Sequence, residues 1–153
     1  MIKIKEHDKK TSDDLVNSWL KLGAILKNDR FVNMLSFNET HICNLLLEKD
    51  LSLKEIEFKT NMLKSLVNRV INSLTEKSYV KKYKKEDNKK NVWVCLTKEG
   101  RDAYNIEHNS VLVFVDEITK NLGTEKIVTL TSLMNETSNI ARKILDGSKK
   151  IKK

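Results

Sequence analysis

Asn61-Met62-Leu63-Lys64-Ser65-Leu66-Val67-Asn68-Arg69-Val70-Ile71-Asn72-Ser73-Leu74-Thr75-Glu76-Lys77 is the stretch on which the reading of this chain turns. Its apolar residues Leu63, Leu66, Val67, Val70, Ile71 and Leu74 recur at three- and four-residue steps, which places them on one face of a helix. Asn61, Ser65, Asn68, Arg69 and Asn72 then project from the opposite face, with Lys64 on its flank. A helix face that meets only water usually mixes acids and bases. This face carries amides, a hydroxyl and two cations, and its one acid, Glu76, falls in the last turn. Amide and guanidinium groups can make paired hydrogen bonds to base edges, whereas lysine and serine bond phosphates.

The sequence on either side sharpens that reading. Leu53 to Phe58 reads as a short helix joined to the first by a tight turn. After it, Tyr79-Val80-Lys81-Lys82-Tyr83 and Val92-Trp93-Val94-Cys95-Leu96 are β-branched and aromatic runs bounded by polar clusters, the pattern of two hairpin strands. From Lys77 to Lys90 the chain holds seven lysines against two acids, and Lys84, Lys85, Lys89 and Lys90 fall between the strands. A polar helix face followed by a cationic hairpin fits a helix in the DNA major groove with a wing on the backbone or minor groove. The alternative is a module of the same shape that binds RNA or a protein partner without reading an operator.

Composition agrees. The 153 residues suffice for one domain with an appended helical element, and a formal charge of +8 with a pI of about 9.4 favours polyanionic partners. Met1-Ile2-Lys3-Ile4-Lys5-Glu6 has no apolar core of a secretory signal, and Val111-Leu112-Val113-Phe114-Val115 is far too short to cross a bilayer. A cytoplasmic protein with no membrane partner is expected. Cys43 and Cys95 read as buried apolar thiols in a reducing compartment. No CxxC, HExxH or glycine-rich phosphate loop occurs, and no pair of carboxylates or activated nucleophile can be assembled, so no enzyme is expected.

The rest of the chain reads as helix. Leu15, Trp19, Leu22 and Leu26 mark a first helix, with Ser12 and Asp13 as N-cap candidates. Asn38 to Glu48 is a second. Thr97-Lys98-Glu99-Gly100 opens a long helix to about Asn121, and Gly123 breaks it. Thr124 to Leu145 carries Ile127, Leu130, Leu133, Met134, Ile140, Ala141, Ile144 and Leu145 at near-heptad spacing, a stripe that a small lobe could hardly bury alone. Residues 147–153 read as a disordered basic tail. The expected fold is mainly α with a small β-hairpin.

These motifs, in this order, resemble the MarR family of bacterial winged helix-turn-helix regulators. Ser52-Leu53-Lys54-Glu55-Ile56 is similar to the family's T-x-x-E-L opening of the helix-turn-helix, and Asn68-Arg69-Val70-Ile71-Asn72-Ser73-Leu74 to its recognition-helix segment. Lys77-Ser78-Tyr79-Val80-Lys81-Lys82 resembles K-G-hydrophobic-V-x-R, and Leu96-Thr97-Lys98-Glu99-Gly100 matches L-T-x-x-G. The resemblance implies a homodimeric transcriptional regulator, a ligand-responsive repressor on a pseudo-palindromic site. Residues 38–100 would form the winged DNA-binding lobe, and 10–37 with 101–146 a helical dimerisation region built from the N- and C-terminal helices. Double-stranded DNA would meet Ser52, Asn61, Lys64, Ser65, Asn68, Arg69, Asn72, Lys82, Lys84, Lys85, Lys89 and Lys90.

Two departures change expectations. Asp87-Asn88-Lys89-Lys90 offers lysine where the family's wing carries arginine, which favours phosphate contact over entry into a narrow minor groove. Ser78 replaces the usual glycine, which points to ordinary backbone there. The resemblance also implies a small aromatic or anionic effector, with Trp19, His41, Tyr104 and His108 as candidates to hold it. Residues 1 to 37 lack the cysteine of peroxide sensors. His41 and His108 resemble part of a zinc-sensing set, but Leu112 stands where a further histidine would be needed, so neither zinc nor another cofactor is expected.

Overall fold

The computed structural model describes residues 6–26 and 34–150 of the chain, which divides into two units, Met1–Val32 and Asn33–Lys153. In the first unit, α1 spans Glu6–Leu26. Ser12 and Asp13 lie inside this helix and do not cap it, and Leu15, Val16, Trp19, Leu20, Leu22, Ile25 and Leu26 are each at least 45% exposed.

The second unit runs α2 (Phe37–Leu46), β1 (Leu51–Ser52), α3 (Leu53–Thr60), α4 (Lys64–Glu76), β2 (Val80–Lys85), β3 (Asn88–Leu96), α5 (Lys98–Leu122) and α6 (Thr124–Lys150). It is mainly helical with a small antiparallel sheet in the order β1-β3-β2. The sequence showed β2 and β3 as a hairpin. It did not show β1, two residues whose Leu51 and Ser52 pair with Val94 and Trp93 of β3.

Serine and threonine start α2, α3 and α5 by satisfying their first amides. Ser36 and Ser52 form capping boxes with Glu39 and Glu55, and the Thr97 hydroxyl accepts the Gly100 amide. One core fills the lobe: Ile42, Cys43 and Leu46 from α2, Ile56 from α3, Val67, Val70, Ile71 and Leu74 from α4, Val80 and Val94 from the sheet, and Tyr104 from α5. Beyond Glu107, α5 rises away from this core with Val111, Leu112, Val113 and Val115 exposed. Along α6, Leu130, Leu133, Met134, Ile140 and Leu145 are between 46% and 58% exposed.

Several boundaries differ from the sequence reading. Helix α6 continues through Lys150, so residues 147–150 are helical and not a disordered tail; 151–153, like 27–33, lie outside the described residues. Helix α4 begins at Lys64, not Asn61: Asn61 caps α3 in the left-handed conformation, and Leu63 is a 75% exposed N-cap outside the core. The hairpin strands reach further, leaving Glu86 and Asp87 as the tip, so Lys84, Lys85, Lys89 and Lys90 belong to strands.

Ser78 also corrects an expectation. Its φ is 62°, left-handed, because α4 ends in a Schellman turn: Ser78 N–H bonds the Thr75 carbonyl and Tyr79 N–H the Leu74 carbonyl, each at 2.9 Å. The family's glycine position keeps its glycine-like backbone with a serine in it. Gly100 is required for another reason. A Cβ there would run into the Tyr79 carbonyl oxygen, which already accepts the Thr97 amide at 3.0 Å.

Opposite signs are therefore expected for two substitutions in urea unfolding. Gly100→Ala should lower stability by ~2–3 kcal/mol, because backbone must shift to admit the methyl. Ser78→Gly should raise it by ~0.5–1 kcal/mol, the relief of left-handed strain less the entropy glycine gains on unfolding.

Candidate nucleic-acid interface

Burial of Val67, Val70, Ile71 and Leu74 fixes the rotation of α4. Lys64, Ser65, Arg69 and Asn72 are consequently exposed, and Asn68 is half-buried at the edge of the face. Unlike α2, α3 and α5, this helix has no side-chain cap and no acid in its first turn, so the positive end of its dipole is left uncompensated. A cleft of about 200 Å³ lies between the start of α3, the start of α4 and β3, with Lys54, Lys64 and Lys90 on its walls. Two sequence candidates leave the face. Asn61 sits in the turn between α3 and α4, and Ser52 is buried, its hydroxyl donating to Glu55 at 2.8 Å.

Behind the face is a group the sequence reading missed. The buried Glu39 carboxylate accepts the Ser36 amide at 2.7 Å, the Ser73 hydroxyl at 2.8 Å and the Lys77 ammonium at 2.9 Å. It thereby ties the N-terminus of α2 to the last turn of α4. Lys77 also donates to the Met34 carbonyl at 3.3 Å, and the Met34 amide donates to the buried Glu107 on α5 at 3.1 Å. The only signal in the sequence was the Ser36-to-Glu39 capping spacing, and it did not reveal partners more than thirty residues away.

The wing is more tied down than a solvated loop. The Lys82 ammonium donates to Asn72 Oδ1 at 2.9 Å, and the Tyr83 hydroxyl donates to Asp50 at 2.7 Å, which pushes its pKa up to about 12. Lys85 is not free of apolar neighbours: its Nζ lies 3.4 Å above the Trp93 ring centroid, a cation–π contact. Lys84, Lys89 and Lys90 are exposed.

Of the effector candidates, Tyr104, His41 and His108 belong to the second unit and Trp19 to the first. Tyr104 is in the core; its hydroxyl donates to Asn44 at 2.8 Å, and its ring stacks on His108 at 5.3 Å. His41 is half-buried on α2, while Trp19, in the other unit, is 56% exposed on α1. Burial pushes the Cys43 thiol up to about 12, so it is an inert core side chain; Cys95 is half-buried. Among the described residues no group of three or more His, Cys, Asp or Glu side chains could hold a metal ion, and no helix is long and apolar enough to cross a membrane.

Comparison with solved structures places this architecture. The PcaV transcriptional regulator from Streptomyces coelicolor, in complex with its natural ligand, superposes with a TM-score of 0.74 at 13% identity, covering 92% of this chain and 99% of that one. FabT from Streptococcus pneumoniae, in complex with DNA, gives 0.65 at 16% identity, over 91% and 98%. A mutant MarR from E. coli complexed with operator DNA gives 0.60 at 20% identity, over 68% and 76%. The chain has the MarR-type winged helix-turn-helix fold. No protein-family description and no curated protein matches it by sequence. The MarR-type likeness is thus carried by shape, with the motifs of residues 52–100 as its sequence trace.

The Glu39 network predicts a pH dependence. Burial, the largest influence, would raise this carboxyl above its ordinary 4.5, but the Ser36, Lys77 and Ser73 hydrogen bonds outweigh it and hold the pKa lower. A folded pKa below the unfolded one gives stability that is present above 4.5 and lost as pH falls through the folded value. Glu39→Gln should therefore be less stable than the wild type at neutral pH by ~1–3 kcal/mol, with the gap closing below pH 4.5. Thermal unfolding followed across pH checks both features.

Proposed function

We propose that this protein is a homodimeric, MarR-type transcriptional regulator, a ligand-responsive repressor that reads a pseudo-palindromic DNA operator through α4. The observation that carries the reading is the sidedness of α4: one face supplies the core, and the other presents Ser65, Arg69 and Asn72 with no acid before Glu76. The uncapped N-terminus and Lys64, Lys84, Lys89 and Lys90 supply positive charge on both sides of that face, as a helix between two phosphate strands requires. Residues 38–100 are then the DNA-binding lobe. Its chemistry is binding, not catalysis, and its target places it in the cytoplasm.

A partner copy is the proposed cover for the apolar residues of 10–37 and 101–146. Val111 to Val115 on α5 and the α6 stripe leave more aliphatic surface in water than a monomer ordinarily exposes. For a small effector the reading offers the cleft of about 290 Å³ between α3 and α6, where Phe58 and Met62 line the wall beside Lys54 and Arg142 and the acids Glu57 and Asp146. Arg142 donates to the Lys59 carbonyl at 2.8 Å there, so an anion at this guanidinium would act on a contact between lobe and helix.

Three measurements test the reading. Arg69→Ala should weaken binding to the selected site by ~1–3 kcal/mol and to random duplex much less; equal loss on both would demote Arg69 to a phosphate contact. Changing Lys89 and Lys90 together to Ala should weaken both DNAs alike and flatten the salt dependence of log affinity by ~1–2 units per subunit. In sedimentation at micromolar concentration the chain should be a dimer, and a well-folded monomer would contradict the assigned cover. Preference for RNA, or no sequence preference among duplexes, would favour the alternative winged-helix module.

A further inference from the structure

We infer that Lys82 sets the base preference of Asn72, biasing it toward guanine and against adenine. The inference rests on the assignment of α4 as the DNA-reading helix. Strand alternation aims Lys82 at α4: it pairs with buried Val94 and lies two residues from buried Val80, so all three share the sheet face that packs on the helix. Its Nζ reaches Asn72 Oδ1 at 2.9 Å, and Asn72 is exposed in the third turn of α4, one turn beyond Asn68 and Arg69.

An ammonium has three donors and no acceptor. The atom it contacts must be the amide oxygen, so the usual ambiguity between the two ends of an asparagine does not arise here. With the oxygen held, the Asn72 NH₂ is the free end. Asparagine reads adenine with both ends at once, N7 accepting from the NH₂ and N6–H₂ donating to the oxygen. The oxygen has a second lone pair, but the Lys82 charge beside it repels the adenine amino group. Together Lys82 and Asn72 make a surface of donors only. Guanine, with N7 and O6 both acceptors, is the base edge that matches it.

The alternative for Lys82 is a plain phosphate contact that leaves Asn72 when DNA arrives. Both side chains are exposed, so their substitution leaves the fold intact, which circular dichroism verifies. The test is selection from randomised duplex DNA with the full chain, followed by titration on the selected sites. Asn72→Ala identifies the base pair concerned as the position whose preference it erases. At that position the wild type should select guanine, Lys82→Met should shift the guanine-to-adenine ratio roughly tenfold toward adenine, and Lys82→Arg, which still donates, should restore guanine.

Adenine at that position in the wild type, no position affected by Asn72→Ala, or an unaltered preference in Lys82→Met would each overturn the inference. In the last case a loss of affinity shared by all sequences, with a salt slope lower by ~0.9, would identify Lys82 as a phosphate ligand instead. A wild-type chain that enriches no motif would overturn the DNA-reading assignment itself, and is distinguishable because the Lys82 arms would then show nothing to shift.

Discussion

Burial of Val67, Val70, Ile71 and Leu74 is the constraint from which the rest of the lobe follows. Each of these side chains contributes on the order of 1.5–3 kcal/mol when removed from water, so a rotation of α4 that exposed all four would cost an amount comparable with the whole marginal stability of a small domain. The orientation of Ser65, Arg69 and Asn72 is therefore not a local choice. It is what remains once the core has claimed the other side. The wing inherits the same constraint, because Val80 and Val94 enter this core and so turn Lys82 toward the helix.

Polar contacts refine what packing sets. Glu39 is buried and charged, a costly combination unless its partners are complete, and Ser36, Ser73 and Lys77 complete them. The result is directional where hydrophobic contact is not. It fixes the last turn of α4 against α2, and through both backbone groups of Met34 the chain of bonds continues to Glu107 on α5. A change in the long helices thus has a bonded route to the end of α4. The Schellman turn at Ser78 and the close approach at Gly100 hold the other side, where strand and helix leave the lobe.

What the sequence showed and what it hid divide along a physical line. Helical periodicity from residue 66 to 74, the strand runs around 80 and 94, and the Leu96-to-Gly100 motif all report local preference or one-sided burial, and a helix, a hairpin and a capped helix start formed there with shifted ends. The misread features depend on groups distant in sequence or on backbone shape. Ser78 was read from its side chain, yet the hydrogen bonds of a helix end decide its φ. Asn61 fitted the helical wheel but was drawn off as the left-handed cap of α3. Ser52 fitted a phosphate contact but is consumed by its own capping box. Lys85 was read as lying between the strands, yet it belongs to β2 and sits over Trp93, eight residues on and across the hairpin. No pattern within ten residues could have announced Glu39 as the hub of α2 and α4.

The proposed role of α4 as a groove-reading helix delivered in pairs is tested most directly by hydroxyl-radical footprinting on the DNA flanking the protein's own gene. That role predicts two protected patches of similar extent, centred about one helical turn apart, ~10 base pairs, and related by approximate two-fold symmetry. Uniform protection that follows protein concentration and ignores sequence would contradict it. So would a single patch with no symmetric mate.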